Sequence, residues 1–209
     1  MIRSASPEHA RRSPVSQRHR RAAVGLLLLA ATGLLTGLRQ APPPALEPGR
    51  IAPVSLATAV PVNLDIPAID LTGPVIEIGL DPDGTVELPP ANEITGWYRY
   101  GPAPGEPGAA VILGHVDSYT GPAVFFRLSA LRPGDQIHVT RADGSVAHFL
   151  VHNVSSYPKS EFPTREIYES KGFSALHLVT CGGEFDTTAR SYLSNVVVYS
   201  ALIGMTPPR

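Results

Sequence analysis

The sequence predicts a mainly β domain, a barrel or a sandwich, and three observations support this. Short apolar or alternating segments recur at intervals of roughly 8 to 15 residues, separated by turn signals. Only two stretches have helical character. The 22 prolines and 19 glycines suit a turn-rich chain better than a helical one. Hydrophobic residues make up 43% of the chain, enough to bury a core.

The predicted strands occupy residues 63–203. "GPVIEIGL" at 73–80 is followed by a turn at 81–84 and then "TVELP", and "AAVILGHV" at 109–116 has the continuous apolar pattern of a buried strand. "DQIHVT" at 135–140 and "SVAHFLVHNV" at 145–154 flank the turn "RADG" and predict a hairpin. Two further strands are predicted at 173–181 and 192–202, and short helices opened by proline at 122–131 and 163–171.

An apolar segment near the N-terminus predicts a single-pass signal anchor. Residues 22–38 contain no charge and no proline, and a helix of that length spans about 25 Å, near the lower limit for a bilayer. Residues 1–21 carry six arginines against Glu8 alone, which favours a cytoplasmic tail and an extracytoplasmic domain.

Three other interpretations of this segment are weaker. A cleaved signal peptide cut after Ala41 would place Arg39 at −3 and Pro42 after the cut, which disfavours cleavage. A twin-arginine export signal would rest on Arg20-Arg21 alone, and a buried core helix does not fit the segment's isolation. Residues 39–62 are proline-rich and predict a semi-rigid spacer. Residues 204–209 form a short tail.

The charge distribution argues against nucleic-acid binding. The formal net charge is −1, and because the basic residues concentrate in the N-terminal tail, the remainder is mildly acidic. A nucleic-acid-binding domain would carry a basic face. We also see no dense acidic cluster that would require a metal, and we expect no cofactor.

Cys181, in "LHLVTCGGEFD", is the single cysteine of the chain. An internal disulfide is therefore impossible, and the thiol is either an inert buried group or a nucleophile. Its predicted position is the end of a strand, and the two glycines that follow would let a substrate backbone approach the sulfur. The sequence at this residue alone does not separate the two interpretations.

A nucleophilic thiol needs a base, and the chain has seven histidines. His9 and His19 fall in the predicted cytoplasmic tail. His177 shares a strand with Cys181, but four residues along a strand separate the Cα atoms by about 13 Å.

Three histidines, His138, His148 and His152, fall on alternating strands, and we expect them on solvated faces. His115 ends the apolar run "AAVIL", where Gly114 permits close backbone approach, and it is a candidate base.

Arg190 follows Cys181 by nine residues, at the start of the next predicted strand. If the two strands are neighbours, a connection of that length can return Arg190 beside the thiol. A fixed, forked cation could then stabilise an oxyanion. A plain surface arginine is the alternative.

Taken together, "GHVDS", "LVTCGGEFD" and "RSYLSNVVVY" resemble the histidine, cysteine and arginine motifs of sortases, specifically the class E/F group of actinobacteria, and class F within it. The family's TLxTC motif matches at Leu178, Thr180 and Cys181, while His177 replaces the leading threonine. Further agreement, covering about residues 65–203, lies in 66–75, 79–89, 96–115 and 121–135.

The resemblance implies a closed β-barrel of about eight strands with one or two short helices. It implies that Cys181 is the nucleophile, His115 the general acid/base and Arg190 the stabiliser of oxyanion and substrate backbone, with Thr180 in contact with substrate. The implied reaction is transpeptidation: an LPxTG-like sorting signal is cleaved between Thr and Gly, and the thioacyl enzyme is resolved by an amine of a peptidoglycan precursor of the lipid II type.

Three other functions compete. An L,D-transpeptidase also uses Cys and His, but its nucleophile lies in a Ser-x-Gly-Cys context that differs from "LVTCGG". An extracytoplasmic thiol hydrolase would differ mainly in accepting water. A non-enzymatic wall-binding barrel would leave Cys181 buried and inert.

Overall fold

The computed structural model describes residues 59–169 and 172–209. The predicted tail at 1–21, the predicted anchor at 22–38 and the spacer up to residue 58 lie outside the described residues. No helix within the described ranges is long and apolar enough to cross a membrane.

Ten strands, one α-helix and three 3₁₀ turns make up the described part of the chain. The strands are β1 (Pro61–Ile66), β2 (Leu71–Ile78), β3 (Thr95–Tyr98), β4 (Gly108–Leu113), β5 (Asp117–Ser118), β6 (Gly121–Pro122), β7 (Gln136–Arg141), β8 (Val146–Pro158), β9 (Ser174–Asp186) and β10 (Ser191–Thr206). The helix is α1 (Thr164–Tyr168), and the 3₁₀ turns are Pro67–Ile69, Leu128–Ala130 and Lys159–Glu161.

Eight of these strands close a barrel in the order β1-β2-β3-β4-β9-β10-β8-β7, and β5 and β6 form a separate two-stranded sheet. The pairing of β7 with β1 closes the barrel, so its strands leave no open sheet edge. Most neighbours are antiparallel, but β2–β3 and β4–β9 are parallel. The mainly β prediction and the closed barrel of about eight strands are confirmed.

The predicted hairpin at 135–154 is also confirmed, since β7 and β8 are antiparallel neighbours. Ile137, Val139 and Phe149 point into the barrel and are fully buried. His138 and His148 lie directly opposite each other on the outer face and are half-buried, with their Nδ1 atoms 2.8 Å apart. Alternation predicts solvated faces for these two histidines. They do lie on the outer face, but there they are half-buried and paired with each other.

The predicted helix at 122–131 is wrong. Pro122 belongs to β6, and the N–H groups of Val124 and Phe125 donate to the carbonyls of Asn92 and His115. The next N–H groups, those of Phe126 and Leu128, donate three residues back instead of four, which forms turns and not an α-helix. Only the 3₁₀ turn at Leu128–Ala130 remains. The segment is held by two neighbouring loops, and its tertiary contacts outweigh its local helical pattern.

The predicted helix at 163–171 exists in shortened form as α1, five residues long. It covers a second, smaller apolar cluster on the outer face of β4, β9 and β10, separate from the barrel interior. Ile167 is fully buried there, which contributes about 2 kcal/mol of hydrophobic stabilisation. This helix and its flanks form one side of the cleft described below.

Strands β9 and β10 are longer than predicted. They pair with each other from Ala175 opposite Ala201 to Asp186 opposite Ser191. Cys181 therefore lies within β9, opposite Asn195, and its predicted position at a strand end is wrong. The partner strand continues past the thiol, with Gly182 opposite Ser194 and Phe185 opposite Tyr192, and the register shifts between these two pairs. At the domain limits, β1 begins inside the predicted spacer and β10 ends inside the predicted tail.

Candidate active site

Strands β4 and β9 are parallel neighbours, so the chain segments that carry His115 and Cys181 run toward the same end of the barrel. The paired residues run from Gly108 opposite Ser174 to Leu113 opposite Val179. Two bonds continue this alignment beyond β4: the Gly114 N–H donates to the Val179 carbonyl (3.2 Å), and the Thr180 hydroxyl donates to the Gly114 carbonyl (2.8 Å).

The last paired residues are Leu113 and Val179, and extending this register by two residues past the end of β4 brings His115 beside Cys181. Neighbouring strands lie about 4.8 Å apart, and residues two apart in a strand share a face. His115 and Cys181 therefore follow Leu113 and Val179 on the outer face of the barrel. Both residues are half-buried, and both line one cleft of about 1130 Å³.

The ring of His115 is oriented by the loop between β2 and β3. Its Nε2 lies 2.8 Å from the carbonyl oxygen of Pro89, and because a carbonyl can only accept, Nε2–H is the donor. In the neutral ring Nδ1 is then the nitrogen that can take up a proton. His115 is thus held between its own strand end and a second loop.

Gly114 is required by close packing, as the sequence indicated. A Cβ at this position would lie 2.6 Å from a ring carbon of Phe125, far inside van der Waals contact. Phe125 is fully buried and donates its own N–H to the carbonyl of His115. The residue before the candidate base is therefore anchored by the barrel core.

The glycines after Cys181 serve the pairing of β9 with β10, which differs from the expected role in admitting substrate. A Cβ on Gly182 would lie 2.7 Å from Cγ2 of Val196, and one on Gly183 would lie 2.9 Å from the hydroxyl of Ser194. Gly183 also has φ of +77°, which disfavours any other residue. The register shifts nearby, between Tyr192 and Ser194, so these glycines accommodate a β-bulge.

Arg190 lines the same cleft but does not lie opposite the thiol. It is one residue before β10, in the connection from β9, with φ of +51°. Its guanidinium donates to the hydroxyl of Tyr119, and the guanidinium carbon lies 5.4 Å from the centre of the Tyr119 ring. The predicted neighbouring of the two strands is confirmed, and the connection is turned by Asp186, whose carboxylate accepts from the N–H groups of Thr188 and Ala189.

A second contact crosses the cleft beside Arg190, between residues that the sequence did not single out. The Tyr192 hydroxyl donates to the carboxylate of Asp117. This bond raises the pKa of Tyr192 above its usual value of 10.0, and burial and the negative charges of Asp117 and Cys181 raise it further. No local pattern predicts this contact, because the two residues lie 75 positions apart in the sequence.

The remaining walls of the cleft are largely apolar. Phe162 and Tyr168 come from α1 and its flank, and Val86 and Leu88 come from the loop between β2 and β3. Burial raises the pKa of Tyr168 to about 12, so this phenol stays neutral at physiological pH. A cleft of this kind suits a peptide with apolar side chains that presents a carbonyl to the thiol.

His177 is buried and does not line the cleft. Its Nδ1–H donates to the carbonyl of Ile167 in α1 at 2.7 Å. Burial lowers its pKa below 6.5, and the charge of His152 lowers it further, against the opposing effects of that hydrogen bond and of Glu166. The expectation that His177 is too far from Cys181 to be its partner agrees with this placement.

The four residues proposed from the sequence thus line one cleft: His115, Thr180, Cys181 and Arg190. Across residues 59–169 and 172–209, no three His, Cys, Asp or Glu side chains lie together in a way that could hold a metal ion. The arrangement offers a thiol, an imidazole and a guanidinium around an apolar cleft, which is a set suited to acyl transfer.

Comparison with known proteins identifies the family. The family model described as sortase domain matches residues 64–203, which is most of the described barrel. The chain belongs to the sortase family. No curated protein matches it.

Solved sortases share the fold. Sortase A of Listeria monocytogenes has 16% identity and a TM-score of 0.54, with 70% of this chain and 89% of that chain covered. Sortase C-1 of Actinomyces oris has 20% identity and a TM-score of 0.53, with coverages of 69% and 75%. Sortase A of Corynebacterium diphtheriae has 19% identity and a TM-score of 0.53, with coverages of 72% and 63%. At these identities the likeness concerns the fold, while the family match supports a cell-wall transpeptidase.

Proposed function

We propose that this sortase is a cysteine transpeptidase whose nucleophile is Cys181 and whose general acid/base is His115. The observation that supports the proposal is that the parallel strands β4 and β9 lead His115 and Cys181 into one cleft, which both residues line. The substrate is a protein with an LPxTG-like sorting signal, cleaved between Thr and Gly. The acceptor is an amine of a peptidoglycan precursor of the lipid II type.

The first half-reaction forms a thioester. The thiolate of Cys181 attacks the threonine carbonyl carbon, and the carbonyl electrons move to oxygen to give a tetrahedral oxyanion. As the oxyanion collapses, the C–N bond to glycine breaks and protonated His115 gives its proton to the leaving amine. His115 uses Nδ1 for this transfer, because its Nε2–H is donated to Pro89.

The second half-reaction transfers the acyl group. The acceptor amine attacks the thioester carbonyl, neutral His115 takes its proton, and the C–S bond breaks to return the thiolate. Amines attack thioesters readily, which favours transfer over hydrolysis. The imidazolium and thiolate are regenerated, so the cycle needs no further reactant.

Arg190 stabilises the oxyanion and the substrate backbone in this proposal. Its guanidinium is exposed and reaches Tyr119 across the cleft, so it has the reach to contact a bound peptide. Removing one donor to an oxyanion costs about 10²–10³ in kcat in other acyl-transfer enzymes. Thr180 is the substrate-contacting residue of the proposal, because it lines the cleft beside the nucleophile, while its hydroxyl is donated to the Gly114 carbonyl.

We further propose that this sortase is of class E/F, within it class F, and that it is a single-pass membrane protein. The motifs "GHVDS" and "LVTCGGEFD" support the class, with His177 as the departure from the family pattern. The apolar segment at 22–38 and the arginines before it support an anchor with a cytoplasmic N-terminus and an extracytoplasmic barrel.

The test compares wild type with Cys181→Ala on an LPxTG-like peptide, with and without an added amine such as triglycine. We expect wild type to release the glycine-containing fragment and to form the amine adduct, and Cys181→Ala to do neither. Cleavage without any adduct at saturating amine would indicate a thiol hydrolase. Equal behaviour of the two proteins would reject the proposal.

A further inference from the structure

The side chain of His177 occupies a position that the catalytic proposal does not use. It replaces the leading threonine of the family motif, it is 6% exposed, and it lies on the same face of β9 as Cys181. Its two strand neighbours are Val111 on β4 and Tyr199 on β10. The ring is therefore enclosed between the barrel and the helix that covers it.

His177 holds the end of α1 through the Ile167 carbonyl. A helix of five residues leaves its last carbonyls without intrahelical partners, and the Ile167 carbonyl is one of these. The Nδ1–H of His177 supplies the missing donor at 2.7 Å. Nδ1 is one bond further from the backbone than a threonine hydroxyl, so the replacement extends the reach of the side chain toward α1.

The His177 ring is also linked, through Tyr199 and Tyr157, to Phe162, which precedes α1. The rings of His177 and Tyr199 meet edge to face with centres 4.8 Å apart, and the Tyr199 hydroxyl donates to that of Tyr157 at 3.1 Å. Tyr157 in turn contacts Phe162, with ring centres 6.5 Å apart. Phe162 precedes α1, so both ends of the 162–168 segment are held from one position on β9.

This segment forms one wall of the cleft, through Phe162, Thr164 and Tyr168. Tyr168 is supported from behind by Tyr98, with ring centres 5.3 Å apart. The wall contains none of the three groups proposed for the chemistry. Its position affects which peptides fit the cleft and leaves the thiol and imidazole unchanged.

We infer that His177 is a positioning residue: through its hydrogen bond to Ile167 it fixes the 162–168 wall and thereby sets the affinity of the cleft for the peptide substrate. This inference rests on the proposed function for its substrate. The tether itself is a property of the fold and can be measured separately.

Two nearly isosteric variants separate the hydrogen bond from the volume of the side chain. In His177→Asn the amide nitrogen lies the same number of bonds from the backbone as Nδ1 and can donate to Ile167. In His177→Leu the shape is similar, but no donor remains. His152→Leu is the control, because His152 is an exposed histidine whose ring lies 6.2 Å from that of Tyr199 and its removal leaves the tether intact.

The first measurement is hydrogen exchange in the full chain. The amides of Ile167 and Glu169 are protected by bonds to the carbonyls of Pro163 and Arg165 within α1. We expect both amides to exchange about tenfold faster in His177→Leu, and near the wild-type rate in His177→Asn and His152→Leu. Unchanged exchange in His177→Leu would overturn the tether.

The second measurement separates KM from kcat for the LPxTG-like peptide, with kcat counted per folded protein, the folded fraction being measured by circular dichroism. We expect KM to rise about fivefold in His177→Leu, with kcat within a factor of about two of wild type, and His177→Asn to restore KM. Mere destabilisation would lower the folded fraction and leave KM unchanged, and that result would overturn the role in binding. If wild type does not act on any such peptide, the proposed function fails while the exchange data still decide the tether.

Discussion

The two sides of the cleft are held in different ways. On one side, His115 follows the end of the β4–β9 ladder and is held by the Thr180–Gly114 bond before it and by the Pro89 carbonyl. On the other side, Arg190 lies in an exposed connection and is held by a side-chain contact with Tyr119, which is 90% exposed. The comparison teaches that the proposed acid/base is held by hydrogen bonds to the backbone of the fold, whereas the proposed oxyanion group is positioned by an exposed side-chain contact that a substrate can displace.

The largest expected effect follows removal of the group on the fixed side. His115→Ala removes the proton transfer to the leaving amine, and we expect kcat/KM for transpeptidation to fall about 10³-fold. Within the described residues the ring makes one side-chain hydrogen bond, to the Pro89 carbonyl, so its removal should change the thermal unfolding curve little. Single-turnover assays with the peptide would measure the loss, and activity within tenfold of wild type would reject the role of His115.

Arg190→Ala tests the opposite side. We expect kcat to fall about 10²-fold because an oxyanion donor is lost, with the protein still folded. Arg190→Lys retains the charge but not the forked donor geometry and should recover only part of the activity. If kcat of the alanine variant equals that of wild type, Arg190 is a surface residue and the oxyanion is stabilised by another group.

Thr180→Val tests the link between the two strands. Thr180 is buried, and valine has nearly the same shape, so the change leaves the Gly114 carbonyl without its donor and costs about 1–2 kcal/mol of stability. We expect kcat to fall as well, because Gly114 precedes the acid/base.

The matched control for Thr180→Val is Ser200→Ala. Ser200 is also fully buried and donates to the Leu176 carbonyl at 2.7 Å, but away from the cleft. Urea unfolding should show a comparable loss of stability in both variants, with kcat lowered only in Thr180→Val. An equal fall of kcat in both would mean that stability alone explains the effect.

Tyr119→Phe should change the stability far less. Tyr119 and the Arg190 side chain that contacts its hydroxyl are both exposed, so we expect the free energy of unfolding to change by less than about 0.5 kcal/mol. The same urea experiment measures this value. A loss as large as that of Thr180→Val would contradict the contrast between the two sides.

The smallest expected effect is the pH dependence contributed by His177. Its pKa is below 6.5 in the folded protein because of burial, so below pH 6.5 the unfolded chain binds a proton that the folded chain does not. Its contribution to stability is therefore complete above pH 6.5 and declines as the pH falls through the folded pKa. Urea unfolding at pH 7.5 and 5.5 should show a smaller pH-dependent loss in His177→Leu than in wild type, and an equal loss would contradict this assignment.

The sequence predicted the parts of the fold that local pattern determines. The hairpin of β7 and β8 followed from alternation around "RADG", and the buried run of β4 from its continuous apolar residues. The helix at 122–131 was wrong because its first residues bond to two other loops, at Asn92 and His115, and these tertiary contacts do not show in the local pattern.

The candidate site, too, could be predicted from the sequence only in part. His115 and Cys181 could be proposed from their motifs, but their alignment depends on a parallel pairing between strands far apart in the chain. The contact of Tyr192 with Asp117 and the tether from His177 to Ile167 depend on tertiary packing and left no local signal of their function.

The most direct test of the central claim is a disulfide between positions 115 and 181. Residues opposite each other on neighbouring strands lie within the Cα separation of about 4.4–6.8 Å that a disulfide requires. Cys181 is the single native cysteine, so the thiol count of His115→Cys is unambiguous. The control is Thr120→Cys, exposed further along the same loop. On mild oxidation we predict that His115→Cys loses both titratable thiols as a monomer while Thr120→Cys keeps both. Two free thiols in oxidised His115→Cys would contradict the pairing of His115 with Cys181.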